Sequence, residues 1–162
     1  MRPARAFWPG IGIAVVIVAA DQLTKWWIIW KVMMPPRVIE ITPFFNLVMA
    51  WNPGISFGFF STDSPMNAMV LSTLALLIVA ILLVWLYRTE RLFIGSGIGM
   101  IVGGAIGNVI DRFQYGAVAD FLDFHVAGYH WPAFNLADSM ITIGAAMIVL
   151  DAVFDGTQTQ ER

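Results

Sequence analysis

Long uncharged stretches alternate with short polar interruptions along this chain. The clearest runs over 66–87 and is closed by Arg88, Glu90 and Arg91. As an α-helix, such a run spans the about 30 Å of a bilayer's hydrocarbon with every backbone group satisfied internally. A second uncharged run covers 92–110 and ends at Asp111 and Arg112, and a third covers 139–150, between Asp138 and Asp151. The first apolar region, 7–30, is interrupted by Asp21 and Lys25. The pattern predicts four transmembrane helices, at about 7–30, 66–87, 92–111 and 136–154, with outer segments at about 31–65 and 112–135. Both outer segments are too apolar to be simple linkers. Residues 38–42 and 45–51 carry β-branched and aromatic side chains in partial alternation, with Pro43 and Asn52-Pro53-Gly54 as turn signals. The expected class is an all-α membrane protein with four transmembrane helices and a small β-rich extracytoplasmic platform lying on the bilayer. Residues 1–162 are expected to form a single integral membrane domain, with 156–162 as a disordered end.

Arg2 and Arg5 before an apolar stretch also suit a cleavable leader. The apolar pattern resumes at Trp26-Trp27-Ile28-Ile29-Trp30, however, which a cleaved peptide would not need, so the first helix is read as retained. Its tryptophans suit a membrane–water interface. With four spans both termini share one side, where Arg2, Arg5, Arg88, Arg91 and Arg162 face Lys31, Arg37 and Arg112 opposite. The positive-inside rule makes the first side cytoplasmic. Glu40, Asp63, Asp111, Asp120, Asp123 and Asp138 then cluster on the outer face.

Composition agrees. Of 162 residues, 59% are hydrophobic and 12% charged, against about 25% charged in an ordinary soluble domain. The net charge of −2 gives no reason to expect a nucleic-acid partner. The absence of cysteine excludes disulfides, zinc-thiolate sites, iron–sulfur clusters and a thiol nucleophile, and leaves the redox compartment open.

The polar residues inside these spans narrow the chemistry. Asp21 and Lys25 lie four apart on one helix face, so a structural ion pair inside the first span is the plain reading. Gly95, Gly99, Gly103 and Gly107 make a small-residue ridge on the third span, a surface for close helix approach. Asp111 extends that row, and Gly104, Asn108 and Arg112 form the adjacent one. Asn135 can cap the fourth span, with the Asp138 carboxylate three residues on. Asp120 sits in the apolar run Val118-Ala119-Asp120-Phe121, where a carboxylate must face water or share a proton. If Asp120 and Asp138 meet at the outer surface, one can activate water while the other protonates a leaving amine. His125 and His130 belong to no fixed-spacing metal motif and read as ordinary polar contacts.

Five blocks, in order, resemble the lipoprotein signal peptidase family, bacterial signal peptidase II. They are Asp21-Gln22-Leu23-Thr24-Lys25; Asn52-Pro53-Gly54-Ile55-Ser56-Phe57; Gly103-Gly104-Ala105-Ile106-Gly107-Asn108-Val109-Ile110-Asp111-Arg112; Val118-Ala119-Asp120-Phe121; and Phe134-Asn135-Leu136-Ala137-Asp138. Departures are the bulky Ile55 and a tail, 157–162, without a basic run. The resemblance implies an aspartic endopeptidase of the bacterial cytoplasmic (inner) membrane. Such an enzyme removes the signal peptide of a prolipoprotein just before its diacylglyceryl-modified cysteine. By motif position Asp120 and Asp138 are its catalytic pair. Asn52, Gly54, Asn108, Asp111, Arg112 and Asn135 line or organise the site, supported by Asp21 and Lys25. The implied partners are lipid-modified prolipoproteins and membrane lipid; no cofactor or metal is implied, and a monomer is expected to act. Two other readings stay open: a proton or ion relay through the intramembrane charges, and a scaffold whose glycine ridge docks a partner helix.

Overall fold

The computed structural model describes residues 2–54 and 65–159, with side chains described through Phe154. Ile55, Ser56, Phe57, Gly58, Asp63 and Arg162 lie outside them. The chain forms four long helices, α1 (Phe7–Trp27), α2 (Pro65–Arg88), α3 (Leu92–Tyr115) and α4 (Leu136–Thr159), each long and apolar enough to cross a membrane. A four-stranded antiparallel sheet, β1 (Ile39–Thr42), β2 (Phe45–Asn52), β3 (Val118–Val126) and β4 (Tyr129–His130), is built in that order from the two connecting segments. The central pairing, β2 with β3, joins segments far apart in sequence and sets Ala50 opposite Asp120 and Asn52 opposite Val118.

α3 is the central helix, because it is the one with small residues on two faces. A Cβ at Gly99 would meet the Gly10 backbone of α1, and one at Gly103 would lie 2.8 Å from the Ala14 carbonyl. The other face meets α4, where Cβ atoms at Gly97 and Gly144 would lie 3.0 and 2.5 Å from each other's carbonyls. The glycine ridge thus serves contacts within the chain, and the neighbouring apolar core is Ala14, Val79, Leu86, Ile94, Ile98 and Val102. Trp8, Val16, Leu23, Leu77, Ile81, Val149 and Val153 stay exposed, as lipid-facing side chains do.

Three boundaries differ from the sequence expectation. α3 continues past Asp111 and Arg112 to Tyr115 and stops where Gly116 takes φ 74°, its N–H bonded to the Arg112 carbonyl. Those charges do not mark water, since both find partners inside the protein. α1 passes at Ile28–Val32 into a π-helical turn. α4 remains helical to Thr159, where a disordered end was expected from 156. Gly156 alone, at about 1 kcal/mol against helix, does not break it.

Candidate functional site

The site begins with the interruption in α1. Lys25 is 2% exposed and its Nζ lies 2.9 Å from Asp21 and 2.8 Å from Asp111 of α3. It also donates to the Asn108 side-chain oxygen at 3.0 Å. Both carboxylates are fully buried. They are occupied further: Asp21 accepts the Ala137 N–H at 3.0 Å, tying α1 to the start of α4, and Asp111 accepts the Ala119 N–H at 3.1 Å, tying α3 to β3. Buried charges endure only when paired and hydrogen-bonded, and here one ammonium serves two acids and an amide. Gln22, to which the sequence alone assigns no role, joins them by donating to Asp111 at 3.0 Å and to the Gly107 carbonyl at 3.2 Å. Its signal was there to be read, a polar amide beside Asp21 in an apolar span.

Above this cluster Asn108 has both ends of its amide committed. Its oxygen accepts from Lys25 and from Asn135 Nδ2 at 3.2 Å, so its Nδ2 faces outward and donates to Asp138 at 2.8 Å. Asn135 and Asp138 form the predicted reciprocal cap: Asp138 N–H donates to the Asn135 side chain at 3.0 Å and Asn135 N–H to Asp138 at 3.2 Å. Asn135 Nδ2 also donates to Asp120 at 2.8 Å. Asp120 thus shares Asn135 with Asp138, and its second oxygen accepts from Asn52 Nδ2 at 3.0 Å. Burial and the nearby Asp138 charge push the Asp120 carboxyl up to about 7, against the lowering effect of Asn52 and Asn135.

The structure therefore gathers into one network every residue that the family resemblance placed at the site. Gly54 and Arg112 close it: Arg112 donates to the Gly54 carbonyl and the Asn108 carbonyl, each at 3.3 Å, and Gly54 N–H donates to the Asn52 side chain at 3.1 Å. Asp111 and Asp21 are sealed beneath, whereas Asp138 borders an open cavity of about 390 Å³ lined by Trp131, Pro132, Phe134, Ser139, Thr142 and Ile143. The histidines stay apart. His130 Nδ1 lies 2.9 Å from Asp123, which also accepts from Asn46 at 3.0 Å, a polar pin across β2, β3 and β4.

This is a membrane-embedded fold with two neighbouring carboxylates at one end of its spans. Its similarities are consistent. The model of the signal peptidase (SPase) II family matches residues 13–154. The lipoprotein signal peptidase of Nitrobacter hamburgensis is 45% identical over 157 residues, 94% of each chain. That of Paraburkholderia phymatum is 46% identical over 146 residues, 88% of this chain and 86% of its own. A solved structure described as a bacterial membrane enzyme, 31% identical, superposes with a TM-score of 0.84 over 100% of this chain and 98% of its own. The chain belongs to the signal peptidase II family.

Proposed function

We propose that this peptidase is an aspartic endopeptidase whose catalytic pair is Asp120 and Asp138, and that it cleaves prolipoprotein signal peptides just before the diacylglyceryl-modified cysteine. The observation that carries the aspartic reading is the bridge between the two acids: one asparagine, Asn135, hydrogen-bonds both. Two carboxylates so close cannot both ionise easily, and they share one proton. We give the acid's part to Asp120, whose carboxyl is pushed up to about 7 by burial and by Asp138. Asp138 then takes a proton from a water lying between them, and the water attacks the scissile carbonyl. Asp120 hydrogen-bonds the developing oxyanion, and proton return to the cysteine amine releases the signal peptide.

Asn52, Asn108 and Arg112 hold the pair and the neighbouring β2 end in register; the cavity beside Asp138 gives the peptide its approach while lipid chains stay in the bilayer. The whole chain acts as one membrane domain and as a monomer. Both termini face the cytoplasm of the bacterial inner membrane, the β platform lies on the outer surface, and the site opens there. The relay reading finds no support in the polar network, which clusters at one end of the helices; between it and the Arg91–Asp151 pair at the far end, the helices pack through glycine and aliphatic side chains.

The test is cleavage by the purified full-length chain in vesicles, using a prolipoprotein peptide with and without its diacylglyceryl group. Cleavage of the lipidated peptide alone, lost in Asp120→Asn and Asp138→Asn proteins that remain folded and inserted, is the expected result. Parent-rate cleavage by either variant would sink the aspartic reading.

A further inference from the structure

At the end of the molecule away from the site, the segment before α1 is stitched to the end of α2. Ala4 N–H donates to the Tyr87 carbonyl at 3.0 Å, Ala6 N–H to the Thr89 carbonyl at 3.2 Å, and the Phe7 and Tyr87 rings meet edge to face at 5.4 Å. These contacts frame a cavity of about 490 Å³ with two chemically different halves. Its lining includes Arg2, which precedes the first span, and Arg88, the last residue of the second, together with the apolar Phe7, Leu83 and Val84 within the spans.

The lining carries two guanidiniums against one carboxylate, an excess of one positive charge. Glu90, the one acid in the lining, accepts the Arg5 backbone N–H at 3.0 Å. Nearby Arg91 is paired with Asp151 at 2.6 Å. Among the described residues no ion pair engages Arg2 or Arg88. The N-terminus of α1 opens at the same place with no acidic residue in its first turn and no side-chain cap, so its dipole adds positive potential. Two unpaired guanidiniums and a helix N-terminus above an aliphatic floor match an anionic headgroup with its acyl chain. Because the cavity lies where two spans leave the hydrocarbon, the occupant at hand is a lipid.

We propose that this cleft holds one anionic phospholipid, its phosphate between Arg2 and Arg88 and an acyl chain along Phe7, Leu83 and Val84. The site is independent of the peptidase chemistry at the other end.

The test uses the full-length chain taken from vesicles of equal phosphatidylglycerol and phosphatidylcholine, with retained lipid counted by native mass spectrometry. The parent is expected to hold phosphatidylglycerol over phosphatidylcholine by about thirtyfold, the scale set by two basic side chains at a membrane surface. Arg2→Gln with Arg88→Gln brings the ratio close to one, and Arg37→Gln, beyond the other end of α1, leaves it unchanged. Millimolar inorganic phosphate does not displace the lipid. A parent ratio near one, a ratio undiminished in the double variant, or displacement by free phosphate overturns the proposal. If the double variant fails to insert, each single substitution is expected to lower the ratio about fivefold, and an unchanged ratio in both overturns it equally.

Discussion

Asp21 and Asp111 share an ammonium; Asp120 and Asp138 share amides. The two pairs belong to one hydrogen-bonded network, yet Lys25 lies within 3 Å of both acids in the first pair. In the second, Asn52, Asn108 and Asn135 supply the side-chain donors. Two acids that grip one buried cation are a fastening, because separating α1 from α3 would strand charges that no other charge among the described residues pairs with. In the second pair the hydrogen bonds come from neutral amides, and burial together with the Asp138 charge pushes the Asp120 carboxyl up to about 7. The closed pair is sealed beneath the open one, which faces the cavity through Asp138. The rigid fastening fixes Asn108, and Asn108 in turn aims a donor at Asp138.

The largest effect expected from this contrast is kinetic. Asp138→Asn or Asp120→Asn lowers kcat for cleavage of a lipidated peptide by about 10⁴-fold, the scale seen when a member of a catalytic unit is lost, while the thermal midpoint stays near that of the parent. Lys25→Met does the reverse in kind. It strands two buried carboxylates and costs about 3–5 kcal/mol of stability, read by unfolding of the purified protein in detergent. An unchanged midpoint would show that the ammonium is not what holds α1 to α3.

Packing of the closed pair gives a smaller effect. A Cβ at Gly107 would lie 2.5 Å from the Asp21 carboxylate, whereas one at Gly12 meets nothing within 4 Å. Gly107→Ala is therefore expected to destabilise by about 1–3 kcal/mol. Gly12→Ala is expected to be neutral or to stabilise by up to about 1 kcal/mol, as alanine does in a helix interior. Equal midpoints for the two variants would contradict the close approach.

The pH dependence is finer still. With the Asp120 carboxyl at about 7 and the shared proton needed for turnover, kcat/KM falls on the alkaline side with a midpoint near pH 7. The sign follows from a pKa raised above the ordinary carboxylate value: the proton is held below that point and lost above it. Asn52 donates to Asp120 and lowers its proton affinity, so Asn52→Ala moves the alkaline midpoint upward, by less than about one unit for one neutral hydrogen bond. A downward move would mean that a different group sets that limb.

Periodicity and charge made much of this legible in the sequence. Uncharged runs marked four spans, and the strands at 39–42 and 45–52 fell where β-branched and aromatic residues alternate between turn residues. The Asp21–Lys25 pair and the Asn135–Asp138 cap were legible too, because their partners lie within one helical turn. What escaped was long-range. Nothing local says that Lys25 has a second acid in Asp111, that β2 pairs with β3, or that Arg112 reaches the Gly54 carbonyl. The end of α3 was misplaced for the same reason: Asp111 looks like a boundary with water until its buried ammonium is seen.

The central claim is that Asp120 and Asp138 act as one proton-sharing unit, and a double-mutant cycle tests it most directly. Cleavage of a diacylglyceryl-modified prolipoprotein peptide is measured for the parent, each Asp→Asn variant and the double variant, all folded in the same vesicles. The account predicts that the double variant is no slower than the slower single one, because losing either acid already disables the unit. Losses that multiply, or a single variant near the parent rate, would show that the two carboxylates do not work together.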